Sequence, residues 1–204
     1  MKVILASASP RRRDLIAAID GLEAEIVPSR ADESVEKSSD PAIRAENLAL
    51  MKAKDVYAKT GGTVIGADTV VALDGKIYGK PRSEDEAREY LKELCGKTHD
   101  VVTGIAVVWK GGEIKTHETT RVTLAPYDEK AVGAYVATGS PMDKAGAYAL
   151  QGGAGPWVTE VRGSRSNVIG LPWELTRKLL LAAGVEVPVT KEQDGMMKHG
   201  ADST

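Results

Sequence analysis

The stretch from Val64 to Leu73 constrains this chain more than any other. Val64, Ile65, Val70, Val71 and Leu73 give an apolar, β-branched run of the kind that builds a largely buried strand. Asp68 sits inside that run. An ionised carboxylate there is costly unless it meets a cation or hydrogen-bond donors. Asp74-Gly75 then predicts a tight two-residue hairpin turn, with Lys76-Ile77-Tyr78 returning as the partner strand. The hairpin carries Lys80 back toward Asp68, and Pro81 closes the strand. A carboxylate and an ammonium at one sheet edge form either a structural ion pair or part of a site, and spacing alone allows both.

A second stretch is informative because it breaks an electrostatic rule. Lys2 to Ala6 reads as a first strand, and Ser9 as N-cap with Pro10 at the first helical position starts a helix. Its N-terminus offers free backbone N–H groups and partial positive charge. Arg11, Arg12 and Arg13 add cations at that same end, which is unfavourable unless an anion is expected. Successive residues lie about 100° apart around a helix, so not all three arginines face one ligand.

Further along, Glu33 lies in a polar loop after a strand near Glu25 to Val27. Asp40-Pro41 opens a long helix to about Thr60, with Ile43, Leu50 and Tyr57 as its apolar stripe, widened by Ala53 and Val56. Lys52 falls beside that stripe, where a lysine normally faces solvent. Ser83 to Glu86 is a capping box for a helix with core positions Ala87, Tyr90, Leu91 and Leu94. A long hairpin follows, from Val101 to Trp109 and Ile114 to Leu124, and Asp128 caps another helix. His99 reads as a hydrogen-bonding residue, because no second histidine lies at metal-ligand spacing. Gln151 carries a donor and an acceptor on one planar amide, which suits a base edge.

With 204 residues, the chain can bury one core or two lobes sharing a cleft. A net charge of −2 and 4% aromatic residues argue against a nucleic-acid binder and supply no field toward an anionic membrane, so any anion site must be local. The single Cys95 excludes an internal disulfide and a multi-cysteine zinc site, and fits a reducing compartment. The first apolar segment is too short for a secretion signal, and no run approaches the roughly 20 apolar residues of a membrane span. A cytoplasmic protein is expected, with residues 188–204 as a flexible polar tail.

Taken in order, several of these pieces resemble the Maf family of nucleotide pyrophosphatases. They are Ala6-Ser7-Ala8-Ser9-Pro10-Arg11-Arg12, Asp32-Glu33-Ser34, Lys52-Ala53, Gly66-Ala67-Asp68-Thr69-Val70-Val71, Gly79-Lys80-Pro81, Gly96-Lys97-Thr98-His99, Asp143 to Gly152 and Gly170-Leu171-Pro172. The resemblance implies one catalytic domain over residues 1–187. Its fold would be α/β, a mixed twisted sheet in an elongated two-lobed molecule with a central cleft, similar to the inosine-triphosphate pyrophosphatase fold. It also implies hydrolysis of a nucleoside triphosphate to monophosphate and pyrophosphate, a divalent cation such as Mg²⁺, Mn²⁺ or Co²⁺, and a homodimer. The position matching Asp68 is assigned there as the proton acceptor. Arg11, Thr69 and Gln151 match positions linked to substrate choice, in the form found in the subgroup acting on dTTP and UTP. The alternatives are the sister subgroup acting on 7-methyl-GTP, and a non-catalytic nucleotide-binding regulator of cell division.

The chemistry of the residues extends that expectation. A triphosphate brings about four negative charges, which a near-neutral protein meets with a few placed donors and metal. The loop and helix start from Ser7 to Arg13 are expected to hold phosphate oxygens, with two of Arg11, Arg12 and Arg13 facing them and Lys52 and Lys80 adding positive charge. An aspartate of ordinary pKa is a feeble base at neutral pH, and becomes useful by orienting a metal-bound water. Glu33 is expected to share the metal with Asp68 or to polarise that water.

Overall fold

In the computed structural model, residues 2–187 are described; the expected tail lies outside them. The chain alternates strands and helices: β1 (Lys2–Leu5), α1 (Pro10–Ala17), β2 (Glu23–Ile26), α2 (Pro41–Thr60), β3 (Val64–Leu73), β4 (Lys76–Tyr78), α3 (Glu84–Leu94), β5 (Thr98–Trp109), β6 (Gly112–Leu124), α4 (Glu129–Ala137), β7 (Val158–Arg162), α5 (Arg165–Ile169) and α6 (Trp173–Ala182). The strands form one mixed sheet in the order β2-β1-β3-β5-β6-β7, with β4 also paired to β3. β1 runs parallel to β2 and β3, while the other pairings are antiparallel. The α/β class and the mixed sheet agree with the expectation from sequence.

Strand β3 organises the sheet, and its pairing creates an opening. One edge is zipped to β5 from Val64 to Ala72. The other edge meets β1 only at Val64 and Ile65, and β4 only from Val71 to Leu73. Among the described residues Gly66 to Val70 therefore have no strand partner on that edge, and Asp68 and Thr69 lie in the gap. The β3–β4 turn is the expected Asp74-Gly75 pair, with φ of 51° and 79°, the left-handed pair that a two-residue hairpin requires.

The two faces of the sheet are packed differently. α2 lies against one face at backbone contact, because the strand residues beneath it are glycines. A Cβ on Gly66 would stand 2.0 Å from the carbonyl oxygen of Ala49, and one on Gly104 would stand 2.2 Å from the carbonyl carbon of Ala45. The buried face of α2 is accordingly Ala45, Leu48, Ala49, Ala53 and Val56. This corrects the expected stripe: Ile43 is 50% exposed, and Leu50 and Tyr57 are only partly buried. Small residues displace the large ones here because only they allow so close an approach.

The opposite face carries two apolar clusters. One joins Leu5, Ile16, Ile65, Ile105, Leu171 and Leu180 from β1, α1, β3, β5, the turn between α5 and α6, and α6. The other joins Val71, Leu91, Leu94, Val101, Val122 and Val136 around α3 and α4. Burying each of these large aliphatic side chains contributes about 1.5–3 kcal/mol. Between the clusters runs a buried polar belt of Thr103, Thr120, Ser166 and Asn167. Asn167 Nδ2 donates to the Val101 carbonyl at 3.0 Å and to Thr120 Oγ1 at 2.9 Å, which bolts α5 onto β5 and β6. β7 and α5 were not anticipated as separate elements.

His99, on β5, is 2% exposed and its Nε2 sits 2.6 Å from the Tyr148 hydroxyl, as expected of a structural histidine. Nδ1 has no partner among the described residues, so burial works against the charged ring and lowers its pKa from 6.5 to about 4. The unfolded chain then takes up more protons between these values. Stability held above pH 6.5 is therefore lost as pH falls toward 4, by about 3 kcal/mol at roughly 1.4 kcal/mol per pH unit. Chemical denaturation across that range should show this slope in the wild type and lose it in His99→Gln.

Candidate active site

The gap in the β3 edge opens into a cavity of about 640 Å³, within the range of small-molecule sites. Its walls include Ala6 to Arg12, Glu33, Arg44, Lys52, Asp68, Thr69, Lys80, Asp143, Tyr148 and Gln151. The strand's two-residue period explains the floor. Gly66 and Asp68 share the face toward α2, so Asp68 meets a side chain of that helix, while Thr69 points to the other face and meets Arg12.

Asp68 is 9% exposed, and Lys52 Nζ donates to its Oδ1 at 2.6 Å. The same ammonium lies 3.1 Å from Glu33 Oε1. Lys52 thus bridges two carboxylates at the cavity floor, instead of facing solvent as its place on the helix suggested. Glu33 is held there by its loop. Asp32 accepts from the Ser34 N–H at 3.0 Å, and Asp55 on α2 accepts from Ser29 Oγ at 2.9 Å and the Arg30 N–H at 2.7 Å. The hydrogen bond from Lys59, aided by that from Arg30, holds the Asp55 carboxyl well below its ordinary range, at about 2.

On the facing wall, Ser9 begins α1 with no side-chain cap and Pro10 carries no N–H, so among the described residues no capping side chain occupies the N–H groups of Arg11 and Arg12. Arg12 turns inward. Its Nε donates to the Gly170 carbonyl at 2.7 Å and its Nη2 to Thr69 Oγ1 at 2.9 Å, with Ser7 Oγ 3.5 Å from Nη1. Burial lowers its pKa, opposed by the charge of Asp68, yet a guanidinium stays protonated throughout this range. Arg11 pairs with Asp143 at 3.2 Å, and Asp143 pairs with Lys144 at 2.6 Å. Partial burial works to raise the Asp143 pKa, but Lys144 and Arg11 outweigh it and the net shift is downward.

A sequence profile of the Maf-like protein family matches residues 2–183. The chain belongs to that family. A dTTP/UTP pyrophosphatase of Moorella thermoacetica is 48% identical over 189 residues, covering 91% of this chain and 97% of the relative. One of Thermococcus gammatolerans is 47% identical over 177 residues, covering 87% and 94%. The Ham1 protein of Staphylococcus aureus shares the fold, with a TM-score of 0.50 over 96% of this chain and 90% of its own at 15% identity.

Within this Maf-like fold, the cavity gathers Ser7, Arg11, Arg12, Glu33, Lys52, Asp68, Thr69, Lys80 and Gln151. Two sequence expectations need correction. Arg13 lies outside the cavity, its side chain 59% exposed and 3.7 Å from Asp14, because the next step around the helix turns it away. The hairpin does bring Lys80 to the cavity wall, but the ammonium that meets Asp68 is that of Lys52. Arg44 was overlooked. It precedes Lys52 by two helical turns, with Leu48 between, and that spacing alone places it on the same stripe.

The donor set suits one kind of metal. Among the described residues no three His, Cys, Asp or Glu side chains converge. Glu33 and Asp68 are two hard oxygen donors, each with a second oxygen beyond the one facing Lys52. That fits a Mg²⁺-type ion, which takes one or two carboxylates and completes its shell with substrate phosphates and water. It does not fit an all-protein cage.

Proposed function

We propose that this protein hydrolyses dTTP and UTP to the monophosphate and pyrophosphate, by attack of water on the α-phosphorus. The observation that carries this reading is the Glu33–Lys52–Asp68 bridge, facing the start of α1 and Arg12 across one cavity. The first N–H groups of α1, Arg11, Arg12 and Lys80 bind the triphosphate and neutralise its charge. Lys52 holds the Asp68 carboxylate in place. Asp68 orients the attacking water and accepts its proton, with Glu33 fixing the far side of Lys52. A divalent cation held by Glu33 and Asp68 would add charge neutralisation and a more acidic water. The leaving pyrophosphate departs on the side of the cationic donors.

Gln151 supports the choice of base, since one amide satisfies both the O4 acceptor and the N3–H donor of uracil or thymine. Adenine and cytosine reverse that pattern and leave those groups unmet, and such mismatches discriminate strongly, while guanine repeats the pattern and differs by its larger two-ring base. The test is a panel of the common nucleoside triphosphates and 7-methyl-GTP with Mg²⁺, Mn²⁺ and Co²⁺, assayed for pyrophosphate against inorganic phosphate. Pyrophosphate from dTTP and UTP, at least about tenfold faster than from the others, is the expected result. Comparable rates on all substrates contradict the base preference, and no pyrophosphate from any contradicts the reaction. The reading includes a cytoplasmic homodimer, on the family resemblance; sedimentation at twice the chain mass supports it and a monomer contradicts it.

A further inference from the structure

A line of hydroxyls leads from the cavity into the sheet. Arg12 Nη2 donates to Thr69 Oγ1 at 2.9 Å; Thr69 Oγ1 lies 2.9 Å from Thr103 Oγ1; and Thr103 Oγ1 lies 3.0 Å from the carbonyl oxygen of Asn167. Thr103 is fully buried. Two oxygens this close need a proton between them. The Asn167 carbonyl has none, so the only proton of Thr103 lies on that contact. None remains for Thr69, so the Thr69 hydroxyl donates to Thr103. The direction of every link is thereby fixed: Arg12 to Thr69, Thr69 to Thr103, Thr103 to the α5 backbone. Arg12 Nε ends on the same segment, at the Gly170 carbonyl.

We propose that Thr103 is a positioning residue for phosphate binding. By accepting the Thr69 hydrogen bond, it leaves Thr69 only lone pairs to present to the cavity, and these hold the Arg12 guanidinium there. Two consequences follow from the same logic. Thr69 has no proton to offer a nucleotide, and its influence on the substrate passes through Arg12. This inference rests on the triphosphate reading above.

The test uses Thr103→Val, which keeps the shape and removes the acceptor. Asn167 loses little, because its carbonyl also accepts the Gly170 N–H at 2.9 Å. The expected result is a KM for dTTP about tenfold higher with kcat nearly unchanged, and inorganic tripolyphosphate bound about tenfold more weakly by calorimetry. Thr103→Ser restores both. Thr69→Val reproduces the loss, and the double variant is no worse than either single one, since both cut one line. Unchanged KM and tripolyphosphate affinity in Thr103→Val, even with a lower Tm, overturn the proposal; so do effects that multiply in the double variant. A wild type that binds tripolyphosphate yet releases no pyrophosphate from dTTP overturns the hydrolase reading alone, and the affinity series still decides this one.

Discussion

Asp68→Asn is expected to lower turnover of dTTP and UTP by about 10²–10⁴, the range a positioned general base supplies, while the nucleotide still binds. The substitution keeps the shape of the side chain and an acceptor for Lys52, and Glu33 remains at 3.1 Å to share that ammonium. The fold therefore has little reason to change. What disappears is the negative charge that steers water and takes its proton, in a pocket where Asp68 is only 9% exposed and solvent offers no ready substitute. KM and kcat separate the possibilities. A fall in kcat with KM nearly constant places Asp68 in the chemical step. Lost nucleotide binding with an intact fold would make it a substrate-positioning group instead.

The largest stability effect is expected at the two glycines beneath α2. Gly104→Ala puts a Cβ 2.2 Å from the Ala45 carbonyl carbon and 2.3 Å from its oxygen; Gly66→Ala puts one 2.0 Å from the Ala49 oxygen. The obstacles are backbone atoms of α2, which cannot rotate aside as a side chain does. The helix must lift from the sheet, losing contacts of Ala45, Ala49 and Ala53 and carrying Lys52 away from Asp68. Each substitution should cost about 3 kcal/mol or more, and about 6–12 °C in Tm for a chain of this length. Gly79→Ala is the control, since a Cβ there meets nothing within 4 Å and its φ is not in the left-handed region. Gly66 or Gly104 variants with wild-type Tm would mean that α2 does not rest on those glycines.

These two residue types show why some features could be read from sequence and others could not. The β3 strand, its Asp74-Gly75 turn and the capped start of α3 are local: propensity and turn chemistry speak within a few residues. The seat of α2 is not local. The large residues at Ile43, Leu50 and Tyr57 suggested the buried face, but Gly66 and Gly104 on β3 and β5, meeting Ala49 and Ala45, decide it. α5 was signalled more weakly, by Ser164 as N-cap and Gly170 at the end of only five residues. β7 was hidden by its short alternation after a glycine-rich stretch.

The same division runs through the site. Sequence singled out Asp68 and the early arginines because each sits where its charge is out of place, and Lys52 through the family resemblance. It did not reveal which ammonium meets Asp68, since Lys80 is near in sequence and Lys52 is near only across the α2–β3 packing. It also gave no sign of the line through Thr69 and Thr103, because threonines are ordinary strand residues. Their roles appear only when β3, β5 and α5 are brought together.

Isotope transfer tests the central claim most directly. With the wild-type protein, dTTP and ¹⁸O-labelled water, a single turnover analysed by mass spectrometry should place the label in the thymidine monophosphate and leave pyrophosphate unlabelled. That outcome requires water activated at the α-phosphorus, as Asp68 facing the cationic wall of the cavity demands. Label in the pyrophosphate, or release of labelled inorganic phosphate with the diphosphate, would contradict the account.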